Sequence, residues 1–325
     1  MHVFPLNCVV SNVLVPTNSL SRMKVKVLLI LLIGLLLHYS CSNSPQKPAG
    51  SPAAADSPEH YGSGYSSPES ENDFPVNYFS PVEIADLFQK IGVPFSTEYL
   101  ASPIDPRTLT TSFDKAVTLG ILCADLGYMN MYEMTGSFPD LIASIKTLAE
   151  DLGVSQFFDF DAITRLSFNK SNMDSLLFLS LTSYSQADHY LRENDLGHLS
   201  VLMMTGVWLE GQYLTVKVFE KYSDPKLKDR IGEQKLFLNH LIETIKNYCG
   251  KDTQFERLCS DLRKLNDSYT DVRISYTRGE PVATKKGKGL AIQQTETSNV
   301  EMSQEQLARI MEASAGLRNN LIKKN

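Results

Sequence analysis

Two acidic side chains stand where acids are costly. Asp125 lies in an otherwise apolar run over residues 116–132, and Glu210 lies in a second over residues 199–219. A carboxylate taken out of water is strongly destabilising unless it is paired, hydrogen-bonded or protonated. The local patterns are Asp125-Leu126-Gly127-Tyr128 and Glu210-Gly211-Gln212-Tyr213. If both acids converge with Tyr128, Tyr132, Trp208 and Tyr213, they form a candidate ligand-binding pocket between two helices. The other reading is structural: each acid accepts a hydrogen bond from a tyrosine or pairs with a lysine or arginine. Large helical bundles commonly bury acids that way, and the structural outcome is the expected one.

Other chemistries lack their residues. A di-iron bundle site needs Glu-x-x-His on two helices, and His240 with Glu243 has the reverse order. The zinc-protease pattern His-Glu-x-x-His is absent, and His60, His189, His198 and His240 are scattered. Gly-x-Ser-x-Gly, Gly-rich nucleotide loops and Cys-x-x-Cys are also missing. No catalytic residue, metal or cofactor is therefore expected. The net charge of −6 is spread with both signs interspersed and no basic stripe, which argues against nucleic acid as a partner. Lys285, Lys286 and Lys288 sit among glycines without the spacing of a phosphate-cradling loop, and read as a solvated loop.

A third reactive residue is Cys41. Lys24 and Lys26 give a positive start, residues 27–37 an unbroken apolar run, and Tyr39-Ser40 lead into the cysteine. That order is a secretory signal, too short for a membrane-spanning helix of ~20 apolar residues. Met23 begins a complete signal. Residues 1–22, mixed and broken by Pro5 and Pro16, read as an upstream extension that would leave Cys8 out of the mature chain. The signal then occupies residues 23–40. A cysteine at the cut, followed by a polar Ser/Pro tract, resembles the lipobox of bacterial lipoproteins. Ser40 fits that motif, whereas His38 stands where the family favours leucine. The resemblance implies that the Cys41 thiol carries a diacylglycerol and that the new N-terminus is acylated. It further implies a chain held by its lipid to a membrane of the bacterial cell envelope, the outer membrane being the expected one.

Residues 42–80 are mainly Ser, Pro, Gly and Ala with scattered acids. They bury too little apolar surface to offset conformational entropy, and the expectation is a disordered tether with an end-to-end distance of ~35 Å. Residues 81–325 are the folded body. Ser80-Pro81-Val82-Glu83 reads as a cap and first turn, followed by Ile84, Leu87, Phe88 and Ile91 on one face and Gly92 as a stop. Ser137 before Pro139, Asp224 before Pro225, and the Ser303/Gln306 capping box begin three further helices. Residues 172–191 and 255–269 carry helical stripes as well. Only the stretch around Val272, Ile274 and Tyr276, with Leu290 and Ile292 beyond a connector, alternates with period two. A hairpin there is marginal unless it packs on something. The expected fold is all-α: a multi-helix bundle with at most one small β-hairpin near the C-terminus.

The two acid-bearing runs lack a polar face and so belong at the centre of the bundle. Gly120, Ala124 and Gly127 in the first, and Gly206 and Gly211 in the second, would allow close helix approach. Each run is followed by a serine-proline turn and a glycine-closed helix, the pattern of a duplicated helical hairpin. Cys123 reads as core. Cys249 and Cys259 flank a turn, but an antiparallel hairpin would offset them by ~9 Å, beyond the ~7 Å that a disulfide spans. No bridge is expected there.

In layout the chain resembles all-helical lipoproteins of the Bacteroidetes type, on the signal, the spacer and the short motifs Ala-Asp-x-x-Tyr and Glu-Gly-x-Tyr. Such families generally lack assigned activities, so the likeness implies a location and a fold class and no reaction. The leading expectation is a lipid-anchored envelope protein whose helical domain binds another envelope protein or acts as a scaffold. The alternative is a receptor with a small ligand held around Asp125 and Glu210, and an enzyme ranks third.

Overall fold

In a computed structural model, the residues described are 81–322 except 102, 135, 137, 168–172, 279–281, 287–288 and 294–295. The upstream extension, the signal, Cys41 and the tether lie outside them, as do Ser80 and Ser137.

Among the described residues there are nine α-helices. They are α1 (Pro81–Lys90), α2 (Ser112–Met131), α3 (Phe138–Asp151), α4 (Phe160–Ser167), α5 (Met173–Glu193), α6 (Gly197–Tyr222), α7 (Pro225–Ile245), α8 (Thr253–Ser268) and α9 (Gln304–Ile322). The fold is all-α. Local signals account for most of the boundaries. Asp224 accepts the Lys226 N–H at 2.8 Å with proline in the first turn of α7. Ser303 and Gln306 close a reciprocal capping box, with bonds of 2.7 and 3.1 Å. Gly92 and Gly153, both at positive φ, end the turns after α1 and α3. No helix among the described residues is long and apolar enough to cross a membrane.

Helices α2 and α6 form the centre and are buried around nearly their whole circumference. Two glycines allow their contact. A Cβ on Gly120 would stand 2.0 Å from the Met203 carbonyl oxygen, and one on Gly206 would stand 2.1 Å from that of Val117. The relation is reciprocal, since Gly120 also faces the Val207 nitrogen and Gly206 the Ile121 nitrogen. Asp125 lies five residues beyond its glycine and Glu210 four beyond its own, each about 7 Å along its axis. Glu210 lies within electrostatic reach of Asp125, and Tyr222 within that of Tyr132 near the far ends, so the helices run in the same sense from the crossing.

Period-two alternation becomes two antiparallel two-stranded sheets. Strand β1 (Arg273–Arg278) pairs with β4 (Glu296–Glu301), and β2 (Val282–Lys286) pairs with β3 (Gly289–Gln293). The register sets Arg273 opposite Glu301, a favourable cross-strand pair. The β1–β4 sheet packs on α7, where Gly232 leaves room for Val300 and Lys235 Nζ donates to the Val272 carbonyl at 2.7 Å. Lys285 and Lys286 end β2 rather than lying in a loop, which corrects the sequence expectation for them.

Two further features depart from the sequence reading. Helix α4 is absent from it, although Asp159 caps the helix at the Ala162 N–H (2.8 Å) and Ile163 is buried. Cys249 and Cys259 form a disulfide, with Cα atoms 5.8 Å apart. The ~9 Å offset assumed a tight antiparallel turn. Instead, a 3-10 turn (Lys246–Tyr248) extends α7, and Asp252 is fully extended. The connection is therefore not the tight turn assumed, and it leaves the two cysteines within bridging distance.

Candidate functional site

The spacing of the candidate residues decides which of them can meet. Asp125, Tyr128 and Tyr132 are three and four apart and share a face of α2; Glu210 and Tyr213 share a face of α6. Trp208, two residues before Glu210, lies about 200° around the helix. The structure follows this division. Trp208 points to α7, where its Nε1–H donates to Gln234 Oε1 at 3.0 Å and its ring stacks on Phe237. It is not part of the acid cluster.

Asp125 and Glu210 are both 0% exposed, and Asp125 acts electrostatically on Glu210. Glu210 also receives a two-pronged ion pair from α9: Arg318 Nε donates to Oε2 at 2.8 Å and Nη2 to Oε1 at 2.6 Å. The guanidinium carbon lies 4.0 Å from the centre of the Tyr213 ring, a cation–π contact. Burial pushes the Glu210 carboxyl above its usual range, while Arg318 and Asp125 pull it back. Glu210 thus has the arginine partner of the structural reading.

The α2 face is filled from within the chain. Asp125 Oδ2 accepts the Ala101 N–H at 3.0 Å, Tyr128 Oη accepts the Ser96 N–H at 3.0 Å, and Tyr132 Oη donates to the Val93 carbonyl at 2.8 Å. Phe95 stacks on Tyr128 with ring centres 5.3 Å apart and leans on Tyr132 at 5.7 Å. Acid and tyrosines thus grip the backbone of residues 93–101, the irregular stretch after α1. Desolvation pushes the Tyr128 phenol up to about 12 and that of Tyr132 higher still, so both remain neutral hydrogen-bonding groups. A small cleft lined by Phe113, Asp114, Gln254, Arg257 and Asp261 opens elsewhere, and none of the six candidate residues lines it.

No family model matches the chain, and no curated protein or solved structure matches it. What the site does must therefore be read from its own groups.

Sequence reasoning missed several of these groups. Arg318 was legible in principle: it stands four residues after Ser314 on the apolar stripe of α9, where a charged residue needs a buried partner. Gln212 Nε2 donates to Tyr269 Oη at 3.0 Å, and that hydroxyl donates to the Ile231 carbonyl at 3.0 Å. With Trp208 and Gln234 they make a second polar layer joining α6 to α7 and α8. A third links α5 to α6, where Ser200 Oγ donates to Asp188 and lies 3.0 Å from Tyr184 Oη, while Arg192 Nε donates to Asp188 at 2.8 Å. Cys123 is half-buried, and desolvation pushes its thiol up to about 12, which leaves it unreactive. Among the described residues no cluster of three metal-ligating side chains occurs.

Proposed function

We propose that the protein is a lipid-anchored component of a bacterial cell envelope, attached through Cys41, and that its helical body is an interaction or scaffold module. The observation that carries the anchoring is the order of residues 24–41: two lysines, an unbroken apolar run, a short polar step and a cysteine. The Cys249–Cys259 disulfide supports export, because such bonds persist in oxidising compartments and are rare in the cytosol.

The module reading is supported by how the polar groups of the body are used. Arg318 occupies Glu210, and residues 93–101 occupy Asp125, Tyr128 and Tyr132. Among the described residues these groups are used in packing the chain against itself. A partner would be met on the outer surface, and the lipid would hold that surface near other envelope proteins.

Detergent phase partitioning tests the anchoring. Wild-type protein is expected in the detergent-rich phase, since acyl chains contribute ~0.8 kcal/mol per buried methylene. Cys41→Ser should move it to the aqueous phase or leave an uncleaved precursor. Wild type and variant partitioning alike, both in the aqueous phase, would reject the proposal.

A further inference from the structure

The two sulfurs of the Cys249–Cys259 bridge stand in unequal surroundings. Cys259 lies on the inner face of α8, 2% exposed, in line with the buried Phe255, Leu258 and Leu262. Cys249 closes the 3-10 turn after α7 and is only half-buried, with Asn247 and Gly250 exposed on either side of it. Its sulfur lies 3.8 Å from Arg263 Nη2, and Lys251, two residues on, is exposed. Thiol–disulfide exchange begins when a thiolate attacks one sulfur of the pair, so access and local charge decide which sulfur is struck.

We propose that this bridge is a thiol-exchange site entered at Cys249, with a dithiol as its reaction partner. The partner's thiolate attacks Cys249 Sγ. A new S–S bond forms there, the Cys249–Cys259 bond breaks, and Cys259 departs with the electron pair and takes up a proton. The partner's second thiol, once deprotonated, attacks its own sulfur in the mixed disulfide. Cys249 then leaves as a thiolate and is protonated in turn. Two electrons and two protons have passed from the dithiol to the bridge, and the partner has become the disulfide. The same steps reversed form the bridge.

Arg263 acts at both ends of this sequence. Its positive charge draws the incoming thiolate to Cys249, and it faces the negative charge that Cys249 carries on leaving. The opened Cys249 thiol can donate to the Ile245 carbonyl, 3.6 Å away. Other contacts keep the loop seated while the bond is open. The His198 ring lies 5.9 Å from both the Tyr248 and the Phe255 rings, and Asp252 still caps the Phe255 N–H at 3.0 Å. Exchange at Cys249 therefore does not require the body to unfold. The inference does not depend on how the chain is anchored.

Cys259→Ser and Cys249→Ser each leave one sulfur of the pair. Both mature proteins, folded, are incubated with oxidised glutathione, and the adduct is located by peptide mass mapping. Cys249 in the first variant should react at least about tenfold faster than Cys259 in the second, and the two rates should converge in denaturant. Equal rates in the folded proteins, or a faster Cys259, overturn the proposal. Arg263→Gln added to Cys259→Ser should slow the reaction several-fold, and an unchanged rate overturns the part given to Arg263. Wild type supplies a reading that needs neither cysteine variant to fold. It is incubated with reduced glutathione, quenched in acid, denatured and alkylated. Glutathione on Cys249 with the alkyl group on Cys259 is expected. Glutathione on Cys259, or on neither, overturns the proposal.

Discussion

Arg318 is the residue on which the buried cluster turns. It neutralises Glu210, lies against Tyr213 and joins α9 to the central helices. Removing one partner of a buried ion pair leaves an uncompensated charge, so Arg318→Leu should destabilise by about 3–5 kcal/mol. The loss should shrink as pH falls toward ~4, because a stranded Glu210 can then take up a proton at lower cost. Combining it with Glu210→Leu should recover most of the stability, since replacing a whole buried pair with apolar groups is often neutral. Urea unfolding of the two single variants and the double variant checks this. Additive losses in the double variant would show that the pair is not the source of the effect.

At the scale of elements, the α2–α6 crossing is the tightest contact and the easiest to break. Gly120→Ala would place a methyl group 2.0 Å from the Met203 carbonyl oxygen, so the helices must separate. The gain in helix propensity, about 1 kcal/mol, should be outweighed, leaving a net loss of about 1–3 kcal/mol. An unchanged or raised unfolding midpoint would contradict the crossing. The α7–α8 connection gives a second test. Reducing the Cys249–Cys259 bond, which closes a short loop, should cost about 2–4 kcal/mol, read as a lower midpoint in the presence of a reductant. Equal midpoints in both states would show that the bridge does not restrain folding.

These elements also show what the sequence could carry. Helices with long stripes and paired cap signals were legible, as were the central position of the two apolar runs and the role of Gly120 and Gly206. Period-two alternation at Ile274 and Tyr276 marked strand β1, but not its pairing with β4, because pairing across some 30 residues leaves no local trace. The disulfide was missed because the reach of a turn depends on the conformation of a residue such as Asp252, which spacing does not reveal. For the site, Asp125 and Glu210 stood out by their burial. Trp208 was misplaced by ignoring the 100° step between helical neighbours, and Arg318 was overlooked on a stripe read only for its apolar members.

The whole molecule combines a folded body with the residues that precede it. The body is a closed helical bundle whose polar groups are largely engaged with one another. The residues before it carry a signal, a cysteine and a Ser/Pro-rich stretch that read as an anchor and a spacer. A scaffold held in this way needs neither a catalytic residue nor a cofactor, only a surface kept near its neighbours. Intact mass measurement of the mature protein, extracted from envelopes, tests the central claim most directly. The account predicts a chain that begins at Cys41 and carries the added mass of a diacylglycerol and an N-terminal acyl group. A chain beginning at Cys41 or elsewhere with no lipid mass would contradict it.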